Sequence, residues 1–212
     1  MIDPRFVILA ALFNLIGSVS YARLTVKGIT QPNRITWLLW AVAPMIAVAG
    51  ELSAGVGLTA LMTFMVGFGP FVIFCSSFVN RNAYWKLDTF DWFCGGLSVA
   101  ALIGWQLAGI PQLAIALSIA ADALAAIPTI AKAYRHPESE SGVAFLGGLI
   151  SAIITLLTIQ NWNFATYAFP AYLAILTALL LALIYRPARR QAAARLHEGS
   201  EATEAGHPAE QS

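Results

Sequence analysis

The sequence predicts an all-α membrane protein: seven transmembrane helices arranged as two parallel three-helix repeats joined by a linker helix, with the N-terminus outside and the C-terminus inside. Three observations carry that prediction. Hydrophobic residues make up 58% of the 212-residue chain and charged residues only 11%, too few charges to clothe a soluble surface. The apolar residues gather into seven runs, each continuous rather than alternating with period two, which favours helices over the strands of a β-barrel. Eleven of the twelve Lys and Arg residues fall in every second gap between those runs, the asymmetry expected when basic residues stay on the cytoplasmic side.

A helix needs about 20 mostly apolar residues to cross a hydrocarbon core about 30 Å thick. The runs span 6–22, 35–50, 58–78, 90–108, 112–131, 143–159 and 164–185, the second being short. Arg23, Lys27 and Arg34 follow the first run, Arg81 and Lys86 the third, Lys132 and Arg135 the fifth, and Arg186, Arg189, Arg190 and Arg195 the seventh. Arg5 is the single exception, on the outer side. The expected organisation is a first repeat over 1–78, a linker helix with its flanks over 79–110, a second repeat over 111–186, and a cytoplasmic tail over 187–212. The first run has no convincing cleavage site after it and is read as a helix rather than a signal peptide. Pro187 is expected to break the last helix, and the Ala, Glu, Gly and Ser composition beyond about residue 198 predicts disorder. Cys75 and Cys94 fall toward the cytoplasmic halves of their runs, where thiols stay reduced.

A single helix between two odd-numbered triplets restores the membrane orientation, so the two triplets are parallel copies about an axis along the bilayer normal. One constant offset sets Asn14 against Asp122, Lys27 against Arg135, Trp37 against Phe145 and Leu38 against Leu146. The best local match is the turn from the first to the second helix of each triplet: YARLTVKGITQPNRITWLLW in one copy, PTIAKAYRHPESESGVAFLGG in the other. Both have a basic helix end, a polar turn with Pro32 or Pro137, hydroxyl residues, and an aromatic residue opening the next helix.

In these features the chain resembles the PQ-loop superfamily, which includes the SWEET sugar transporters and lysosomal amino-acid exporters. The resemblance implies triplet repeats joined three plus one plus three, N-out and C-in. Pro128 and Thr129 stand where that family has its Pro-Gln pair; in the first copy Ser20 and Tyr21 stand there instead. The sugar carriers of the family place an Asn on the third helix of each triplet. Here no Asn falls inside the third run, and Asn163 is only at the outer edge of the seventh. The resemblance therefore argues fold more than sugar as ligand.

Asp122 is the one carboxylate near the middle of a predicted span, where an Asp costs about 2.5 to 3.5 kcal/mol on insertion scales, so it is expected to face the bundle interior or a wet cavity. It is a candidate proton or substrate site, taking a proton as the cavity alternates between sides or pairing with a cationic solute; the alternative is a neutral Asp bonded to another helix, with Asn14 the nearest candidate. Asn14, at the matching position, can donate and accept, and serves equally as a ligand contact or a helix-to-helix bond. Trp40 and Tyr21 are candidate cavity-lining residues, although interfacial aromatic belts account for most of the tryptophans. Pro128, Pro44, Pro70 and Pro170 are candidate hinges, because proline removes a backbone hydrogen bond and crowds the preceding turn. Tight packing of small residues is the competing account of the glycines around Pro70.

The charges are sorted by topology and sum to only +1, so nothing points to nucleic acid. His136, His197 and His207 lie in a loop or the tail, with no paired ligands in the spans, so neither a metal nor another cofactor is expected and no enzyme is indicated. The last run has no lysine for a retinal Schiff base. What remains is a carrier of a small polar solute, passive or proton-coupled through Asp122, in a bacterial inner membrane, with the lipid bilayer its evident partner. The alternative is a sensor or assembly protein on the same fold, its discriminator a complex that depends on the tail.

Overall fold

The computed structural model describes residues 3, 5–53, 60–83, 85–107 and 111–205. Among them the regular structure is entirely helical: α1 (Phe6–Val26), α2 (Arg34–Ser53), α3 (Ala60–Ser76), α4 (Thr89–Leu107), α5 (Pro111–Arg135), α6 (Gly142–Thr158) and α7 (Phe164–Ala205), with short 3-10 turns at Arg81–Ala83 and Pro137–Ser139. Three helices are long and apolar enough to cross a membrane, over Ile8–Val26, Ile115–Arg135 and Thr166–Arg186. The apolar stretches Phe64–Ser76, Thr89–Gly104 and Gly142–Thr158 are shorter; 17 residues of helix, as in α6, rise only about 26 Å. The expected start of the third run at 58 and end of the fourth at 108 lie outside the described residues.

Local chemistry sets the helix ends. Gly28 has a φ of 75°, a conformation that a Cβ would strain, and its N–H donates to the Thr25 carbonyl while that of Ile29 donates to Leu24. That pair of bonds is the glycine-terminated stop that satisfies the last carbonyls of a helix. Asn33 caps α2, its Oδ1 accepting from the N–H groups of Ile35 and Thr36 at 3.1 and 3.3 Å. At the start of α4, Asp88 and Asp91 each accept from the other's backbone N–H at 2.9 Å, a reciprocal capping box. Ser141 caps α6, and Asn163 caps α7 through Thr166. Asn163 is thus spent on a helix start.

The sequence reading misjudged the end of α7. The helix passes Pro187 and continues to Ala205, so neither the break at Pro187 nor disorder from about residue 198 is found in the described residues; residues 206–212 lie outside them. The residues after Pro187 are mainly Ala, Arg, Gln, Leu and Glu, strong helix formers, and one proline forfeits only one ladder bond.

Helix packing follows one order in both halves. The third helix of each triplet lies between the other two: α3 packs on α1 and α2, and α7 on α5 and α6. The halves meet along two seams, α1 with α6 and α2 with α5, closing a cycle of six helices, while α4 packs outside on α5 and α2. At the α1–α6 seam the backbones nearly touch. A Cβ on Gly17 would lie 2.9 Å from the Val143 carbonyl oxygen, and one on Gly147 would lie 2.5 Å from that of Phe13. Small residues permit this approach where van der Waals packing drives helix association.

The bundle exposes apolar side chains and buries a set of polar ones beside its hydrophobic core. Ile8, Leu12, Ile16, Ile103 and Ile175 are exposed, whereas Thr25, Asn33, Thr36, Ser98 and Thr129 are buried. A surface of this kind suits lipid better than water.

Candidate functional site

A cavity of about 410 Å³ lies inside the six-helix cycle, with walls from every helix of the cycle and Leu102 from α4. Asn14 of α1 and Asp122 of α5 both face it, as do Trp40 and Pro44 of α2 and Pro170 of α7. The offset that paired Asn14 with Asp122 in sequence therefore brings both to one space.

Their surroundings differ. Asp122 Oδ2 accepts a hydrogen bond of 2.7 Å from the Tyr172 hydroxyl, and its backbone carbonyl accepts a longer one, 3.4 Å, from Trp40 Nε1. Asn14 Oδ1 is buried with no hydrogen-bond partner among the described residues. The alternative bond between Asn14 and Asp122 does not form: Tyr172, from another helix, takes the carboxylate, and the Asn14 amide oxygen is shut in beside Gly69, where a Cβ would lie 3.0 Å from it. An orphaned buried acceptor costs roughly 1 to 3 kcal/mol unless something fills it.

An aromatic layer floors the cavity. Trp37, Trp40 and Phe145 line it, with Trp37 and Trp40 edge-on at 5.1 Å between ring centres and Trp37 and Phe145 at 5.9 Å. Tyr21 lies one layer deeper, 5.1 Å from the Trp37 ring. It is completely buried and is not a lining residue, so the expectation that it lines the cavity is corrected. The larger Trp37 indole stands between it and the space.

The Tyr21 hydroxyl instead donates to Glu140 Oε2, and Glu140 Oε1 pairs with Lys132 Nζ at 2.6 Å. Lys132 also donates to the Gln31 carbonyl and lies over the Trp85 ring, 4.9 Å from its centre. Close by, the Thr25 and Thr30 hydroxyls share a hydrogen bond of 2.8 Å, Asn33 donates to Asp91 Oδ1 at 2.9 Å, and Arg34 donates to the Ser77 carbonyl at 2.6 Å. All these groups belong to the helix ends and loops that carry the basic residues. That end of the bundle is sealed by paired polar groups beneath a layer of rings.

Pro44, Pro70 and Pro128 each sit inside a continuous helix. Pro44 and Pro170 face the cavity, whereas Pro70 and Pro128 do not. Gly67 packs on α2, where a Cβ would meet the Ala41 carbonyl oxygen and Pro44 Cβ, each at 3.1 Å, which supports close packing as its role. Thr129, at the family's Gln position, is buried with its hydroxyl unpartnered among the described residues.

Sequence reasoning missed Tyr172 and the Lys132 to Glu140 pair. Lys132 read as one more topological charge. The available signal was its place inside the apolar run AIPTIAKAY, a full turn before the helix end. Tyr172 had none, since its role depends on a residue 50 positions away.

No protein-family model, curated protein or solved structure matches this chain.

Proposed function

We propose that this chain is an integral membrane carrier of a small polar solute, seven spans built as two parallel triplets in a bacterial inner membrane with the N-terminus outside. It works by alternating access around Asp122 and Asn14. The observation that carries this reading is the cavity at the joint of the two triplets, with a carboxyl and an amide on its wall and a closed aromatic and ionic layer on one side. A midplane site between pseudo-symmetric bundles, open toward one face at a time, is how carriers of repeated topology work. The like packing order of the two halves, the three helices of membrane-crossing length and the PQ-loop resemblance all favour it.

Asp122 has two roles open to it. Its carboxyl, held by Tyr172, can carry a proton from one side to the other, or its carboxylate can neutralise a cationic solute. Switching sides requires the Tyr21, Glu140 and Lys132 contacts to part while others form; Pro44 and Pro170, in helices that wall the cavity, are where those helices most readily bend.

The test is uptake of sugars, amino acids and organic cations into proteoliposomes, with and without an imposed pH gradient, by wild type and Asp122→Asn. Uptake driven by the gradient and lost in the variant is the expected result. If well-folded wild type moves nothing, the carrier reading fails and a sensor or assembly role takes its place.

A further inference from the structure

We infer that the solute is a protonated amine on a compact apolar body, bearing no carboxylate of its own. The inference rests on the carrier reading and specifies its substrate.

Charge comes first. Asp122 is the one charged residue lining the cavity, and no Lys, Arg or His lines it among the described residues. The nearest buried cation, Lys132, lies beneath the ring layer and is occupied by Glu140. A carboxylate entering this space would meet Asp122 with nothing to neutralise it, and an unpaired charge against a largely apolar wall is disfavoured. A cation meets the opposite situation.

The hydrogen-bonding groups say the same. Ser118, Thr155 and Thr177 line the cavity, but their hydroxyls donate back to carbonyls of their own helices, Ile115, Ser151 and Leu173, at 2.7 to 2.8 Å. Each hydroxyl proton is spent, and what these side chains turn toward the cavity is lone pairs. Asn14 also lines the space, but its Oδ1 is shut in beside Gly69 and takes no part in that wall. The Trp37 indole N–H, a donor without a partner, is closed off from the space and offers the solute nothing. The Ser18 and Ser151 hydroxyls can turn either way, so the Asp122 carboxylate and the three acceptors of Ser118, Thr155 and Thr177 are what favour the donors of an ammonium.

The remaining wall defines the body. Trp37, Trp40, Phe145 and Phe169 present rings, which attract a cation through their faces and an apolar group through contact area. Ala43, Val66, Leu102, Leu173 and Leu176 complete an apolar surround. A hexose would leave most of its hydroxyls against carbon. A volume near 410 Å³ is at the small end of ligand sites and suits a body about the size of phenethylamine.

The test uses purified full-length protein and intrinsic tryptophan fluorescence, with five probes: phenethylamine, 2-phenylethanol, 3-phenylpropionate, phenylalanine and glucose. Phenethylamine is expected to bind saturably and at least about tenfold more tightly than the other four. Asp122→Asn should weaken it by at least about tenfold, a charged hydrogen bond's worth, and Asp122→Glu should restore part of the loss. Equal or tighter binding of 3-phenylpropionate, phenylalanine or glucose by wild type overturns the inference without reference to any variant, as does failure of phenethylamine to bind.

Exchange of labelled for unlabelled phenethylamine across proteoliposomes, above the leak of protein-free vesicles, separates this inference from the carrier reading. Exchange lost in Asp122→Asn supports both. Binding without exchange retains the amine site and removes the carrier, whereas exchange of glucose or phenylalanine but not of the amine retains the carrier and removes the amine.

Discussion

Two layers of the same bundle treat polar side chains in opposite ways. At the sealed end, Tyr21, Glu140, Lys132, Thr25, Thr30, Asn33 and Asp91 are buried and paired. One layer away, around the cavity, Asn14 Oδ1 and Trp37 Nε1 have no partner among the described residues. A chain that satisfies a buried Lys and Glu so fully has the means to satisfy an Asn. A carboxyl on the wall of a space large enough for a ligand, as Asp122 is, can meet one, whereas the polar groups of a seal are held by the chain, here with the Thr129 hydroxyl excepted. The contrast teaches that polar residues inside this bundle divide by whether their partner is in the chain.

That division predicts a graded series, ordered by loss of stability. Lys132→Met leaves the Glu140 carboxylate buried without its cation and should cost about 3 to 5 kcal/mol, read from unfolding of the purified protein in detergent. Adding Glu140→Gln should recover much of the loss. If Lys132→Met unfolds with wild type, the sealed end contributes no more than the cavity and the contrast collapses.

Next comes Gly147→Ala, between the two layers. The new methyl would meet the Phe13 carbonyl oxygen at 2.5 Å, and since backbone cannot step aside, α1 and α6 must separate at about 1 to 3 kcal/mol. The same unfolding measurement decides it; an unchanged transition would mean that this seam is looser than its glycines imply. Thr36→Val removes a hydrogen bond of 2.7 Å from α2 to the Ala125 carbonyl, at the other seam. A loss of about 1 kcal/mol or less is expected, and a larger one would rank the α2–α5 seam with the sealed end.

Asp122→Asn and Asn14→Ala close the series. Neither should change stability by more than about 0.5 kcal/mol, because an Asn at 122 still accepts from Tyr172 and Asn14 Oδ1 has no bond to lose. Both should abolish or sharply weaken solute binding. Large destabilisation without loss of binding would place these residues with the structural polar groups.

Much of this fold was legible because helices report themselves locally. The seven apolar runs and the sorting of basic residues both depend on neighbours within a turn or two. Asp122 was legible for a related reason, since a carboxylate amid apolar residues is conspicuous wherever the chain folds. The overestimate at Pro187 came from the same local reasoning, in which one breaker was allowed to outweigh a long run of helix formers. Tyr21 illustrates the other kind of error. It was expected to line the cavity, but the depth of a side chain depends on what packs in front of it, here Trp37 from the next helix.

The sequence by itself determined the helices of this protein and the two residues, Asn14 and Asp122, that a common offset set apart. Those are properties of composition and period. Which polar groups are paired and which are open was decided only in the tertiary structure. Tyr21 meets Glu140 across 119 residues, and Tyr172 reaches Asp122 from 50 residues away. A hydrogen bond depends on ångströms between helices distant in sequence, and no pattern along the chain encodes that distance.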